Sequence, residues 1–259
     1  MISKAKLKEL ASYKTQKYCE LDHVYVVEGV KMCDEALRSS ATIRTLCATA
    51  PWLEANAQLI GGRDGGMLVC EVNDAELERL SGQKSPNQVW MLLERPLPSP
   101  LALKKTASNA NNDFILALDH LQDPGNMGTI MRTADWFGIR TIVCSRDSVS
   151  CFNPKVVQST MGAIFRTDVL YTDLPEFLHS CRANGSRIYG AMLDGQDVYR
   201  SQCQHQGSVL VIGNESKGIT PEVQACLTHK VLIPNRGGTC ESLNASVASA
   251  ILLSEFFRG

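Results

Sequence analysis

From Asp113 to the end of the chain, short apolar segments alternate with helical patterns, and this alternation constrains the fold more than any other feature. Segments such as FILALDHL, TIVCS and SVLVIG are almost continuously apolar, and each is followed by a stretch with helical periodicity. Strands that are apolar on both faces are typical of parallel sheets covered by helices on two sides. Helix starts are marked as well, because a capping side chain precedes proline at Asn153-Pro154, Asp173 to Pro175 and Thr220-Pro221. The sequence therefore predicts an α/β domain with a doubly wound parallel sheet.

A second, smaller α/β unit is predicted for the first 94 residues. Helical patterns run to about Lys17 and from Val30 to Arg38, and the extended segments lie near residues 23–27, 43–48, 67–72 and 88–93. The run RPLPSPLALKKTASNANN at residues 95–112 holds three prolines followed by small polar residues and interrupts all periodicity. We therefore expect a small domain at residues 1–98, a linker at 99–112 and the larger domain at 113–259.

The composition is that of a globular protein, with 44% hydrophobic residues and 26 basic against 27 acidic side chains. These values exclude a disordered tail protein, a collagen-like repeat and a disulfide miniprotein. The formal net charge of −1 lacks the basic excess that phosphate binding usually produces. A local basic patch stays open, since residues 1–17 hold five lysines against one acid on a predicted helix. A solvated helix face explains such a run equally well.

Neither a membrane segment nor a metal site is predicted. No stretch approaches the roughly 20 apolar residues that span a bilayer, and the N-terminal MISKAKLKEL lacks the apolar core of a signal peptide, so we expect a cytoplasmic protein. The ten cysteines form no CxxC pair, which predicts reduced thiols, most of them buried. The one close Cys–His pair, Cys203 and His205, has no further ligand nearby.

Three loops that follow predicted strands combine glycines with short polar side chains. They are QDPGNMG at 122–128, GNESKGI at 213–219 and NRGGTCESLN at 235–244. Ligands of open parallel sheets bind outside the carboxyl ends of the strands, and glycine lets the backbone approach a ligand closely. Each loop alone is explained as a turn, but three of them at strand ends predict a shared pocket.

Several common enzyme motifs are absent from the sequence. No GxxxxGK[ST] occurs and no GxGxxG follows a strand, which disfavours nucleoside triphosphates and dinucleotides. The sequence contains no GxSxG, the motif of many serine hydrolases. It also shows no pair of carboxylates of the kind that a retaining glycosidase needs.

Three runs in these regions resemble the signature motifs of one family. They are NMGTIMRTADWFGI at 126–139, LVIGNESKGIT at 210–220 and VLIPNRGGTCESLNASVASAI at 231–251. In order and spacing they are similar to the motifs of the SpoU (TrmH-type) family of RNA ribose 2′-O-methyltransferases, of the SPOUT class. Residues 6–37 resemble, more weakly, the N-terminal RNA substrate-binding domain of many members. The third motif departs from the usual pattern at Gly237-Gly238-Thr239-Cys240, where contacts near the methyl donor are therefore expected to differ.

The resemblance implies a knotted fold and a cofactor. Family members form a deep trefoil knot and bind S-adenosylmethionine in a bent form within it. Knots are close to absent from other proteins, so periodicity alone does not predict one. Matched position by position, the cofactor-binding residues are Gly213, Ile233, Leu243 and Asn235.

The resemblance also implies a catalytic set. Its matched members are Arg132, Asn126, Glu215, Ser242 and Asn244. Because a ribose hydroxyl is a weak nucleophile and a sulfonium is a strong methyl donor, catalysis mainly has to align the hydroxyl and manage its proton. Family mechanisms often make the arginine the base, but a guanidinium is reluctant to lose a proton, so we expect Arg132 to grip ribose and phosphate and to stabilise oxyanion charge. The amides and the serine would orient Arg132 and the ribose, and Glu215 would bind Arg132. Alternatively, Asn126 and Asn244 only cap helices and Glu215 is a solvated loop acid.

The partners implied by the family are a second copy of the chain and a structured RNA, ribosomal more than transfer RNA. The last helix fits a homodimer, since it has both small residues and surplus apolar surface. Other functions stay open: a transfer-RNA 2′-O-methyltransferase, a catalytically inactive RNA-binding relative, and a knotted enzyme that methylates a base nitrogen.

Overall fold

The computed structural model describes residues 2–63, 65–97 and 100–258 of the chain. By its contacts the chain divides into two compact units, Met1–Leu97 with Phe152–Phe165 and Pro98–Cys151 with Arg166–Gly259. Each unit has its own sheet and its own hydrophobic core.

The first unit is built on a four-stranded sheet. Its strands are β1 Val24–Glu28, β2 Ile43–Ala48, β3 Leu68–Glu71 and β4 Val89–Glu94. Its helices up to Leu97 are α1 Lys4–Ser12, α2 Gln16–Leu21, α3 Val30–Arg38, α4 Ala50–Ala55, α5 Ala57–Gly61 and α6 Asp74–Leu80. The strand order is β1-β4-β2-β3, with β4 antiparallel to both neighbours and β3 parallel to β2. The predicted small α/β unit is therefore present, and apolar strand residues such as Leu46 and Met91 form its core.

The second unit is built on a six-stranded sheet in the order β10-β8-β9-β5-β6-β7. Its strands are β5 Phe114–Leu118, β6 Thr141–Ser145, β7 Asp168–Thr172, β8 Arg187–Asp197, β9 Ser208–Ile212 and β10 His229–Leu232. The remaining α-helices of the described residues are α7 Pro100–Asn109, α8 Pro124–Trp136, α9 Pro154–Thr160, α10 Leu174–Ala183, α11 Pro221–Gln224 and α12 Ala245–Phe256. Every neighbouring pair of strands is parallel, and β9 is buried along its whole length. The predicted α/β fold with a parallel sheet is confirmed.

Phe152–Phe165, which contains α9, belongs to the first unit although the strands before and after it belong to the second. Val157 is buried in the core of the first unit. The Phe152 ring lies 4.9 Å from that of Tyr25, and Gln83 Nε2 donates a 3.1 Å hydrogen bond to Gln158 Oε1. Strand–helix alternation alone does not reveal this assignment, because it reports local periodicity and not which core an apolar face enters.

A regular helix, α7, occupies most of the predicted linker at 99–112. Proline is tolerated at the first turn of a helix, so Pro100 can begin α7 without preventing it. Ala107 and Ala110 are buried in the core of the second unit, and Asn184 Nδ2 donates to the Ala107 carbonyl at 3.2 Å. The interrupted periodicity of this run therefore does not exclude a helix, which the structure forms at Pro100–Asn109. Pro98 and Ser99 lie outside the described residues.

Two of the three predicted helix caps are confirmed. Asn153 accepts a hydrogen bond from Lys155 N at 2.9 Å, and Asp173 accepts one from Glu176 N at 3.1 Å. Thr220 does not cap α11, because its hydroxyl donates instead to Asp119 at 2.8 Å.

Eight of the ten cysteines are buried, as predicted, while Cys203 is partly buried and Cys240 is exposed. Within the ranges described, no helix has the length and apolar character needed to cross a membrane. Those same ranges hold no cluster of three or more His, Cys, Asp or Glu side chains arranged to bind a metal.

Candidate active site

The three polar loops lie at the carboxyl ends of parallel strands of the second unit. They follow β5, β9 and β10. Because β5 and β9 are neighbours in the sheet, their loops leave it side by side, and Asp119 N donates to the Ile212 carbonyl at 2.9 Å. The loop after β5 leads into α8, whose N-cap is Asp123; its carboxylate accepts from Asn126 N at 2.7 Å.

Asn126, Glu215 and Asn244 form a chain of hydrogen bonds that joins the three loops. Asn126 Nδ2 donates to Glu215 Oε1 at 2.8 Å, and Asn126 Oδ1 accepts from Asn244 Nδ2 at 2.9 Å. A carboxylate only accepts, so these partners determine which end of the Asn126 amide faces which neighbour. Asn126 is only 7% exposed, and burial of its amide is tolerated because both ends are paired. The structure thus brings together three of the predicted catalytic residues.

Asn244 also caps the last helix. Its Oδ1 accepts from Ser246 N at 2.9 Å, Ser246 Oγ at 2.6 Å and Val247 N at 3.3 Å, while its Nδ2 reaches Asn126. The cap and the contact to Asn126 therefore coexist. Asn126 itself is not a cap, since that role at α8 belongs to Asp123.

Arg132 and Ser242 are both exposed. Arg132 lies on α8, and its guanidinium makes no hydrogen bond or ion pair within the described part of the chain. The expected contact between Arg132 and Glu215 is not formed; the Glu215 carboxylate accepts from Asn126. The Ser242 hydroxyl likewise has no partner among residues 2–63, 65–97 and 100–258. Both side chains are thus available to a ligand.

Gly213 lies where the loop after β9 folds back on itself. A Cβ atom there would lie 2.3 Å from the carbonyl carbon of Gly218, so no other residue fits without a shift of the backbone. The fold-back is closed by two 2.9 Å hydrogen bonds between the backbones of Asn214 and Gly218. This turn presents Glu215 to Asn126.

The remaining predicted cofactor residues follow β10. Ile233 is half-buried and Leu243 is 49% exposed, so both offer aliphatic surface. Asn235 is exposed, but its amide is fully engaged with its own loop. Its Oδ1 accepts from Gly237 N and Gly238 N, and its Nδ2 donates to the carbonyls of Gly238 and Cys240. The Asn235 side chain therefore shapes the loop.

Asp119 and His120 are site residues that the sequence motifs did not single out. The Asp119 side chain is buried, and its carboxylate accepts from Thr220 N at 2.7 Å and Thr220 Oγ1 at 2.8 Å. His120 Nδ1 lies 3.0 Å from Asp119 Oδ1, and His120 Nε2 contacts the carboxylate of Asp147. The hydrogen bond to Asp119 raises the pKa of His120 above its ordinary value; partial burial opposes this, and the charge of Asp147 adds to it. The available signal was the polar pair Asp119-His120 inside the otherwise apolar segment FILALDHL.

A cavity of about 540 Å³ lies at the other end of the sheet. Among its lining residues are Phe114, Thr141 and Asp168, which begin β5, β6 and β7. It is therefore separate from the three loops.

The sequence of the second unit decides the family. Residues 113–254, more than half of the chain, match the model of the SpoU rRNA Methylase family. The chain belongs to this family. Residues 4–90 match the model of the MRM3-like substrate binding domain. The family predicted from the motifs, and with it the class of RNA methyltransferases, is confirmed.

Relatives along nearly the whole chain agree with this SpoU assignment. The chain is 25% identical to the 23S rRNA (guanosine(2553)-2′-O)-methyltransferase RlmP of Bacillus subtilis, covering 96% of this chain and 94% of RlmP. A solved structure of a TrmH-family protein from Porphyromonas gingivalis is 35% identical, with a TM-score of 0.87 and coverage of 100% and 99%. The AdoMet-bound rRNA methyltransferase of Sinorhizobium meliloti is 28% identical, with a TM-score of 0.86 and coverage of 100% and 96%.

Proposed function

We propose that this SpoU-family protein transfers a methyl group from S-adenosylmethionine to a ribose 2′-hydroxyl of RNA. The observation that carries the proposal is the hydrogen-bonded chain Glu215–Asn126–Asn244, which connects all three family motifs at the carboxyl ends of β5, β9 and β10. Two relatives support the proposal, namely the 2′-O-methyltransferase RlmP and the AdoMet-bound rRNA methyltransferase of Sinorhizobium meliloti.

The loop after β10 fits the chemistry of an adenosyl group. Within the described residues, the backbone N–H groups of Ile233 and Leu243 make no hydrogen bond, and the side chains of both residues offer exposed aliphatic surface. An adenine needs this combination of directional backbone partners and an apolar slot. Gly213, Ile233, Leu243 and the backbone beside Asn235 would hold the cofactor. The bound cofactor supplies an electrophilic methyl group on a sulfonium sulfur.

The chain's own contribution is to place and polarise the ribose. Arg132, exposed and without a partner in the described structure, is available to bind a phosphate and to stabilise negative charge that develops on the 2′-oxygen. Ser242 provides a hydroxyl that orients the ribose. Glu215 acts through Asn126 by fixing its amide, and Asn126 in turn holds Asn244 at the start of α12.

Ribosomal RNA is the proposed substrate class. RlmP, which the chain matches over 96% of its length, is named for a 23S rRNA guanosine. Transfer RNA is the second candidate, because several relatives carry the joint description tRNA/rRNA methyltransferase. The proposal extends to the domain organisation, with an RNA substrate-binding domain at 1–98 and the methyltransferase domain from 113.

We also propose the trefoil knot and the homodimer. The chain leaves β10 at the edge of the sheet, yet Asn244 reaches Asn126 at the start of α8, which follows the interior strand β5. To form a knot, the chain after β10 has to return in this way past the loop after β9. Val247 on α12 is 47% exposed, which supports a partner for that helix. Cytoplasmic localisation stays a prediction.

The test is transfer of labelled methyl from S-adenosylmethionine to RNA from cells lacking the gene. Ribosomal and transfer RNA fractions are assayed separately, and the product is digested with alkali, because 2′-O-methylation blocks cleavage at that linkage. Alkali-stable dinucleotides from ribosomal RNA support the proposal. Label on a base nitrogen refutes the ribose assignment. Tight S-adenosylmethionine binding in calorimetry without transfer to either fraction indicates a binding protein.

A further inference from the structure

His120 is held between two carboxylates from different loops. Its Nδ1 lies 3.0 Å from Asp119 Oδ1 on its own loop, and its Nε2 contacts Asp147, which follows β6. Only the imidazolium donates from both nitrogens, so this arrangement matches the protonated ring. In the neutral form one nitrogen carries a lone pair and loses its bond to a carboxylate.

The backbone of His120 ties the same loops together. His120 N donates to Ser145 Oγ at 2.8 Å, at the end of β6. The His120 carbonyl accepts from Asn214 Nδ2 at 2.8 Å, and Asn214 Oδ1 accepts from Ser216 N and Lys217 N. Asn214 thereby orders the turn that carries Glu215. The backbone φ of His120 is +54°, a left-handed conformation that these contacts maintain.

The contacts of His120 with Asp119 and Asp147 form an ionic junction, which Asp119 extends to the loop after β9. Its buried carboxylate accepts from Thr220 N and Thr220 Oγ1 at the far end of the loop after β9. The loop after β9 is thus fixed at Asn214 and at Thr220, on either side of Glu215. Among the residues that the structure describes, the charged groups interacting with the His120 ring are Asp119 and Asp147, while the loop after β9 contributes the uncharged Asn214 and Thr220.

We propose that His120 is a positioning residue whose protonated ring fixes the loops that present Glu215 to Asn126, so that methyl transfer weakens when His120 loses its proton. The proposal rests on the proposed function. The side chain is 41% exposed, so it exchanges protons with solvent without unfolding. No contact of His120 with substrate or cofactor is implied, since its ring is occupied by the two carboxylates.

The ionic junction is tested without any assay of activity. His120→Gln, Asp147→Asn and the double variant form a double-mutant cycle in urea unfolding, at about pH 6 and about pH 9. Because the pKa of His120 is raised in the folded protein, its stabilisation is complete below the ordinary histidine value and is lost as the pH rises through the folded value. We expect the two single variants to be non-additive at the lower pH and additive at the higher pH. If the changes in the free energy of unfolding are additive at both pH values, His120 and Asp147 do not interact and the proposed junction is refuted.

The effect on the reaction is tested by the ratio of variant to wild-type rates across the same pH range. A ratio cancels any pH dependence of the ribose hydroxyl itself. For His120→Gln we expect kcat to fall about tenfold relative to wild type at low pH, and this loss should shrink as the wild-type ring deprotonates. The Kd for S-adenosylmethionine should change less than kcat. His205→Gln is the matched control, because this exposed histidine stacks on Phe257 and forms no ion pair within the described residues.

The outcomes separate the two proposals. If the ratio of variant to wild-type rates for His120→Gln does not change with pH, the side chain has only a structural role, and the proposed positioning role is overturned. If wild-type protein methylates no RNA, the proposed function fails, while the unfolding cycle still decides whether the junction exists.

Discussion

Asn244 Nδ2 donates a 2.9 Å hydrogen bond to Asn126 Oδ1, across 118 positions of the sequence. The contact joins the first turn of α8 to the cap of the last helix, and Asn126 passes the connection on to Glu215. Three loops that the sequence presents separately are therefore one hydrogen-bonded unit, and each of its links is open to substitution.

Substitution of Asn244 separates its cap role from its site role. Asp is as good an N-cap as Asn but cannot donate to Asn126. We expect Asn244→Ala to lower the free energy of unfolding by about 1–2 kcal/mol, and Asn244→Asp to keep most of that stability while losing most methyl transfer. Urea unfolding and kcat measure the two effects. Full activity in Asn244→Asp would leave this residue with a cap role alone.

Removal of the Arg132 guanidinium should abolish catalysis without abolishing cofactor binding. We expect Arg132→Ala to lower kcat/KM at least about 100-fold, because a positioned charge that stabilises the transition state has effects of that size. The Kd for S-adenosylmethionine, from calorimetry, should stay within a few-fold. Arg140→Ala, at another exposed arginine of the second unit, is the control. Retained turnover in Arg132→Ala contradicts its catalytic role.

A methyl group at Gly213 should disrupt the turn that presents Glu215. The added Cβ would overlap Gly218 and Ile219 at 2.3–2.4 Å, so Gly213→Ala should cost about 1–3 kcal/mol and weaken cofactor binding. Gly61→Ala is a contrasting control, since nothing lies within 4 Å of its added Cβ and it ends the helix α5. That change should be neutral or stabilising in thermal unfolding.

Tyr13 gives the first unit a stability change at high pH. Burial, with the hydrogen bond and charge of Asp22, raises the pKa of Tyr13 to about 12. Its contribution to stability is thus complete below the ordinary tyrosine value of about 10 and is lost as the pH rises through about 12. Phenolate absorbance should show this late titration, and Tyr13→Phe should remove it. The matched control is Tyr18→Phe, at a tyrosine that is 46% exposed.

The N-terminal lysines test the contribution of the first unit to RNA binding. Lys4, Lys8 and Lys17 are exposed and unpaired among the described residues, whereas Lys6 pairs with Glu9 and Lys14 binds the Glu78 carbonyl. Changing the three unpaired lysines, Lys4, Lys8 and Lys17, to glutamate should weaken RNA binding and reduce the salt slope by about 0.7–0.9 per lost phosphate contact. The same three positions changed to arginine should bind normally. An unchanged slope in the glutamate variant would mark a solvated helix face.

The elements of the second sheet were predictable mainly because its inner strands β5, β6 and β9 are apolar along most of their length. The partners of Glu215 were not, since its contact with Asn126 depends on β5 and β9 being neighbours and on the fold-back at Gly213. Charge alone favours Arg132 as the partner of Glu215, whereas in the structure the carboxylate accepts from the buried amide of Asn126, which needs an acceptor. The helix α7 was hidden by a run of prolines whose last member, Pro100, is the first residue of the helix.

The placement of Phe152–Phe165 has a consequence for biosynthesis. The N-terminal core contains Val157, with Phe152, Ile164 and Phe165 packed against it, so it stays incomplete while only the first 97 residues have emerged from the ribosome. Nascent domains usually mature from the N-terminus in order. Here the leading domain has to wait, with apolar surface uncovered, until β5, α8 and β6 of the following one and then Phe152–Phe165 itself have been translated.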